Sequence, residues 1–261
     1  LGEYVDIENK IAKLISTSGN SFHSKVASWL KEHGWSVAVS PYYLDQTLGK
    51  AREIDIIAEK VMTRRGSYQH QGVLVLVRLF VECKYVGVPS VFWFAEKERE
   101  AAEKLVCRSG KFRMDNTQTL DHHYLLGSEV AKIFASASSK DAENEPFYKA
   151  LNQVISAKVS MRGRKSIVKD LPEHDRYKLV VLEFPVVLCN SFEVLRRVSF
   201  YGASSPALIS DRFQLEVQYA YVDHASTSRD EYFILDFVEF QHLAEFEKLL
   251  KRDAEIASHL A

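Results

Sequence analysis

The sequence predicts an α/β protein, a mixed central sheet flanked by helices, with a C-terminal α+β extension. Stretches with apolar residues at helical spacing lie among runs rich in β-branched and aromatic residues, and polar or turn-forming segments separate them. Of 261 residues, 46% are hydrophobic and 26% charged, enough apolar surface for one large domain or two small ones. No linker is clear enough to cut the chain. Residues 1–261 are therefore read as a single domain, with a motif-bearing core at about 20–110 and its completion at 111–261. A split near Ser136–Glu145 is the alternative.

Val5, Ile7, Ile11, Leu14 and Ile15 recur near helical spacing and predict a first amphipathic helix over 3–16, with a break at Ser16–Asn20. A second helix, capped at Asn20 or Ser21, puts Phe22, Val26, Trp29 and Leu30 on one stripe and ends at Gly34. Strands are expected at about 35–45, 52–62 and 73–86, the last two joined by an extended tip, Thr63–Gly72, that contains Tyr68 and His70. SVFWFAEKEREAAEKLV reads as a short aromatic strand or turn and then a helix from about 95 to 107. Trp93 and its two phenylalanine neighbours either join the core or stack on bases. A helix-rich section is expected to about 159, with a loop at Ser136–Glu145 and with Gln118, His122 and His123 at the surface. After the polar segment Ser160–Arg176, four strand-like runs follow, YKLVVLEFPVVLCN, FEVLRRVSF, FQLEVQYAYV and EYFILDFVEF, the last two forming a hairpin through Asp223–Glu231. Gln241–Leu260 is read as a helix with Leu243, Phe246, Leu250 and Ala254 on one face.

The chemistry concentrates in two of these strands. In VLVRLFVECKY, alternation sends Glu82 and Lys84 to one side and Val81, Cys83 and Tyr85 to the other, while in AREIDIIAEK Asp55 lies opposite Ile54 and Ile56. If the strands pair, two hard oxygen ligands and an ammonium meet on one face, the set that a metal-activated water needs to cleave a phosphodiester. A cross-strand salt bridge on a solvated sheet face is the second reading.

At these residues the chain resembles the PD-(D/E)XK nuclease superfamily, the restriction-endonuclease-like group with its Mrr-type enzymes and junction resolvases. Helix SFHSKVASWLKEHGW, strand WSVAVSPYYL, AREIDIIAEK and VLVRLFVECKY follow in that family's order. The resemblance implies a restriction-endonuclease-like fold and hydrolysis of DNA. It implies Mg²⁺ or Mn²⁺ held by Asp55, Glu82 and the backbone carbonyl of Cys83, with Lys84 positioning the attacking water. Restriction, phage defence or repair would be the setting. The chain departs from the pattern after Phe22, where a common glutamate is replaced by His23; an imidazole can ligate a metal or hold a water but adds no negative charge. His23 is thus either a member of the catalytic set or a helix-surface histidine. A degenerate nuclease fold that binds nucleic acid or serves as a structural subunit is the competing function.

Charge is nearly balanced, 34 Lys+Arg against 35 Asp+Glu, so attraction to nucleic acid must come from local clustering. Arg162, Arg164, Lys165, Lys169 and Arg176 form the most basic segment and could follow a phosphate backbone, or could be a disordered loop. Cys83, Cys107 and Cys189 are too scattered for a disulfide framework or a structural zinc site, and Gly49 and Lys50 sit in no phosphate-cradling motif. No run is long and apolar enough to span a bilayer, so a cytoplasmic setting is expected. DNA is the expected partner, with a second copy or a larger defence or repair complex beside it.

Overall fold

A computed structural model describes residues 2–17, 19–65, 72–108, 112–137, 145–169, 171, 177–202 and 205–260. Tyr68, His70, Arg176 and most of the Ser136–Glu145 loop lie outside them. Helices α1 (Gly2–Thr17) and α2 (Gly19–Glu32) lead into β1 (Ser36–Val39), β2 (Tyr42–Asp45), β3 (Lys50–Glu53), β4 (Ile56–Arg65), β5 (Gly72–Lys84) and β6 (Ser90–Glu96). After α3 (Arg99–Cys107) and two 3₁₀ turns come β7 (Glu129–Ser136), α4 (Pro146–Ser160), β8 (Tyr177–Cys189) and β9 (Leu195–Ser199). The rest is β10 (Ala207–Leu208), β11 (Arg212–Val222), β12 (Ser228–Glu239) and α5 (Leu243–Leu260).

One mixed ten-stranded sheet runs β1-β4-β5-β8-β12-β11-β7-β6-β9-β10, and β2 with β3 makes a separate ribbon. The sheet takes strands from both sides of residues 138–144. β5 is its axis. It pairs antiparallel with β4 and parallel with β8 from Gly72↔Tyr177 to Lys84↔Cys189. Alternation sends Val75, Val77, Leu79 and Val81 into a core with Phe22, Val26 and Leu30 of α2 and Phe246, Leu250 and Ala254 of α5. Phe80 points the other way, to Ile57, Val187 and the α4 residues Phe147, Leu151 and Val154. Burial on both faces explains why β5 reads as a nearly continuous apolar run.

Several expectations are corrected. The strand expected at 35–45 breaks at Ser40, whose φ of 50° falls in the left-handed region just before Pro41. The strand expected at 52–62 breaks at Ile54 and Asp55, and the freed halves pair as the β2–β3 ribbon. Asn20 and Ser21 are inside α2, not capping it; Gly34, at φ 80°, does close the turn after it. On α1 the stripe Ile7, Ile11, Ile15 is exposed. Residues 129–136 form a strand where helix was expected, because antiparallel pairing with β6 outweighs the helix preference of its Glu, Ala and Lys. Phe92 and Phe94 are buried and Trp93 partly so, in accord with the core reading of that cluster.

Pro185 sets a second boundary. Asn190 N donates to Lys84 O, so even-numbered residues of β8 turn their backbone toward β5 and odd-numbered ones toward β12. Pro185, with no N–H, thus faces β12. The β8–β12 ladder covers only Val186–Cys189 against Asp236–Glu239, and the strands part before it.

Arg78, 4% exposed, donates to Glu59 at 2.5 Å, to Glu183 at 2.8 Å and to the Arg164 carbonyl at 3.0 Å. Glu59 also accepts from the Ser166 hydroxyl and from Ile167 N, which anchors residues 164–167 on the sheet. Arg78→Ala strands a buried carboxylate and should cost about 3–5 kcal/mol in urea unfolding. It should also open 164–169 to proteolysis. A loss below about 1 kcal/mol, the scale of a solvated pair, would contradict the network's burial.

Candidate active site

The antiparallel register Ile56↔Val81 places Asp55 opposite Glu82 one step further on, and opposed residues of such a pair share a face. The β4 chain turns at Asp55, so its carboxylate is not a ladder side chain. Asp55 Oδ2 accepts from Cys83 N at 2.8 Å, and Asp55 N lies 3.4 Å from Glu82 Oε1. Lys84 Nζ donates to Glu82 Oε2 at 3.1 Å. His23, on α2, bonds the Asp55 carbonyl through Nε2 at 2.7 Å. Asp55, Glu82, Lys84 and His23 are therefore brought together. They sit near the carboxyl end of β5, in an α/β sheet the usual position for a ligand.

The donor set suits a hard cation. Asp55 Oδ1 has no hydrogen-bond partner among the described residues, and because Cys83 turns its N–H toward Asp55 its carbonyl faces the same edge. Glu82 is 1% exposed. Burial pushes its pKa up to about 7; Lys84 opposes this and Asp55 adds to it. His23 spends Nε2 on a carbonyl, which accepts only, so that nitrogen carries a proton and cannot ligate a metal. Its placement makes it a clamp on the Asp55 backbone. Hydrogen bonds from the Ser40 and Tyr42 hydroxyls, with a smaller contribution from nearby His23, hold the Glu53 carboxyl below the usual range.

The basic segment lies elsewhere. Arg162 is drawn into an ion pair with Glu231 at 2.6 Å and a bond to the Tyr221 hydroxyl at 2.7 Å, whereas Arg164, Lys165 and Lys169 are exposed. Arg78, which binds the Arg164 carbonyl, precedes Lys84 by six residues of β5, roughly 20 Å at the strand rise.

Sequence reasoning missed a second polar cluster. His122 and His123, expected at the surface, are buried. His123 bonds Asp253 of α5 through Nδ1 and Asp236 of β12 through Nε2 at 3.1 Å, and its N–H donates to Asp253 at 3.0 Å. The ligand atoms of His122, His123 and Asp253 lie within 4.8 Å of one another and could hold a metal ion. Nothing about the cluster selects Mg²⁺, since two imidazoles favour a softer ion. Tyr124 N donates to His122 Nδ1, so a neutral His122 carries its proton on Nε2, toward Asp253. Burial lowers the His122 pKa to about 4. Burial would lower that of His123 too, but Asp253 and Asp236 outweigh it and raise the value to about 9. The only local signal was the His-His pair itself; its partners lie more than a hundred residues away.

Two pH effects follow from these shifts. For Glu82 the folded pKa exceeds the ordinary 4.5, so its contribution to stability is full below 4.5 and is lost as pH rises through about 7. Glu82→Gln should flatten the metal-free unfolding profile between those values; an unchanged slope would mean an ordinary carboxyl. For His123, stabilisation is full below 6.5 and lost as pH rises through about 9. His123→Gln should remove that alkaline decline and lower stability by about 3–5 kcal/mol by leaving buried carboxylates uncompensated. A carbon-detected NMR titration that finds the ring neutral at pH 7 would refute the charged assignment.

Among the described residues no helix is long and apolar enough to cross a membrane. The chain matches no family model, and no curated protein or solved structure matches it.

Proposed function

We propose that the chain is a metal-dependent nuclease hydrolysing phosphodiester bonds in DNA, on a restriction-endonuclease-like frame. One observation carries the reading: Asp55, at the turn before β4, lies against Glu82 of β5, with Lys84 bonded to Glu82 and Asp55 oriented by Cys83 N. Asp55, Glu82 and the Cys83 carbonyl would hold Mg²⁺ or Mn²⁺. When bound, such a cation supplies charge that polarises a phosphate and acidifies water. Lys84 offsets charge on the phosphate and on Glu82. Without a cation, burial lets Glu82 keep a proton up to about pH 7, and metal binding would have to displace it. His23 keeps the Asp55 backbone in place. DNA as substrate, and restriction, phage defence or repair as setting, rest on the sequence resemblance alone.

A second reading, a nuclease-like fold that binds nucleic acid without cutting it, is favoured by the His23 geometry. His23 commits Nε2 to the Asp55 carbonyl and as an imidazole adds no negative charge, so the anionic ligands are the two carboxylates alone.

Plasmid nicking with Mg²⁺ or Mn²⁺ separates the two. Asp55→Ala, Glu82→Ala and Lys84→Ala should each reduce cleavage by about a hundredfold or more with the fold retained, because members of one catalytic unit fail together. His23→Ala should lower the cleavage rate less, without changing DNA affinity. No nicking with either metal would favour the binding reading, and full cleavage in excess chelator or wild-type rates in Glu82→Ala would overturn the metal mechanism.

A further inference from the structure

Where β8 and β12 part, the β8 edge from Tyr177 to Pro185 has no strand neighbour on the β12 side among the described residues. A cavity of about 520 Å³ fills the gap, within the range of small-molecule sites. Its wall is unusually cationic. Arg78, Arg108, Lys158, Arg162 and Arg164 line it, against one carboxylate, Glu183.

The ion pairs do not cancel this charge. Arg78 is taken by Glu59 and Glu183, and Arg108 and Arg162 share the single carboxylate of Glu231, at 3.0 and 2.6 Å. Lys158, buried, donates to the Glu183 carbonyl at 2.9 Å and lies over the face of Phe233, with no ion pair among the described residues. Arg164 is exposed, with no side-chain bond or ion pair among the described residues. Among the described residues, five cations thus face three carboxylates, and the two left over are Lys158 and Arg164. The remaining wall is apolar and partly aromatic, with Leu105, Phe112 and Phe184.

We propose that this cleft is a binding site for a small organic phosphate of about one nucleotide, its phosphate on Lys158, Arg162 and Arg164 and its flat apolar part against Phe112 and Phe184. Guanidinium groups suit phosphate in such a setting, and an apolar wall suits the flat part of a base. The site lies toward the opposite end of β5 from Glu82 and does not depend on the nuclease reading.

Calorimetric titration of the full chain with adenosine 5′-monophosphate, inorganic phosphate and adenosine tests this. The nucleotide should bind at least about tenfold more tightly than either fragment, since it uses both halves of the site. Arg164→Ala, at an exposed position that leaves the core intact, should weaken nucleotide binding about threefold or more, and Lys158→Met about tenfold. Asp55→Ala with Glu82→Ala should leave it unchanged. No nucleotide binding at about 1 mM, equal affinity for nucleotide and phosphate, an unaltered constant in Arg164→Ala, or loss of binding in the Asp55/Glu82 variant would each overturn the proposal.

Discussion

The Cys83 amide donates to the Asp55 carboxylate at the point where β4 has stopped pairing with β5, and the candidate site depends on this bond. A backbone N–H at a strand end needs a partner, and here a side chain supplies it. The carboxylate is thereby held against the strand that carries Glu82 and Lys84, with one oxygen left open. His23 grips the same residue by its carbonyl, so Asp55 is fixed from both sides. Just past β8, Asn190 completes the frame: its N–H meets Lys84 O and its side-chain oxygen accepts from Val86 N at 2.5 Å.

Charge is distributed differently on the two sides of the sheet. Glu82 and Arg78 lie on the α4 side, while His123, Asp236 and Asp253 lie among residues of α5 and the 3₁₀ turns. Each group joins elements remote in sequence. Glu59 ties residues 166 and 167 to β4, and His123 ties α5 to β12. Buried ionic groups of this kind are costly to desolvate, and their value depends on every partner being present.

Local pattern was informative where the sheet and helices obey local rules. The β5 run, the α2 stripe, the β11–β12 hairpin and the α5 face each repeat a period over many residues, and Glu82 and Lys84 stood out because they interrupt an apolar strand. The break at Asp55 was not visible, since alternation continues across it and only a side-chain bond divides the strands, whereas the break at Ser40 had a local signal in Pro41. β7 was misread because Glu, Ala and Lys favour helix when no neighbouring strand is considered. His122 and His123 could not be placed because burial there is set by Asp236 and Asp253, residues that no spacing rule connects to them.

The parallel pairing of β5 with β8 bears on how the chain reaches this state. Gly72 faces Tyr177, so the central ladder closes a loop of more than a hundred residues, whereas β4 and β5 are joined by a short connection. Loop closure of that length is slow, and contacts within a hairpin form sooner. The Asp55–Glu82 pair belongs to the local hairpin, but Asn190 and α4 arrive only with the distant part of the chain. Carboxylates would therefore be gathered early, in water, and lose their solvent late. The order leaves Glu82 beside Lys84 in water until α4 and the end of β8 arrive to cover it.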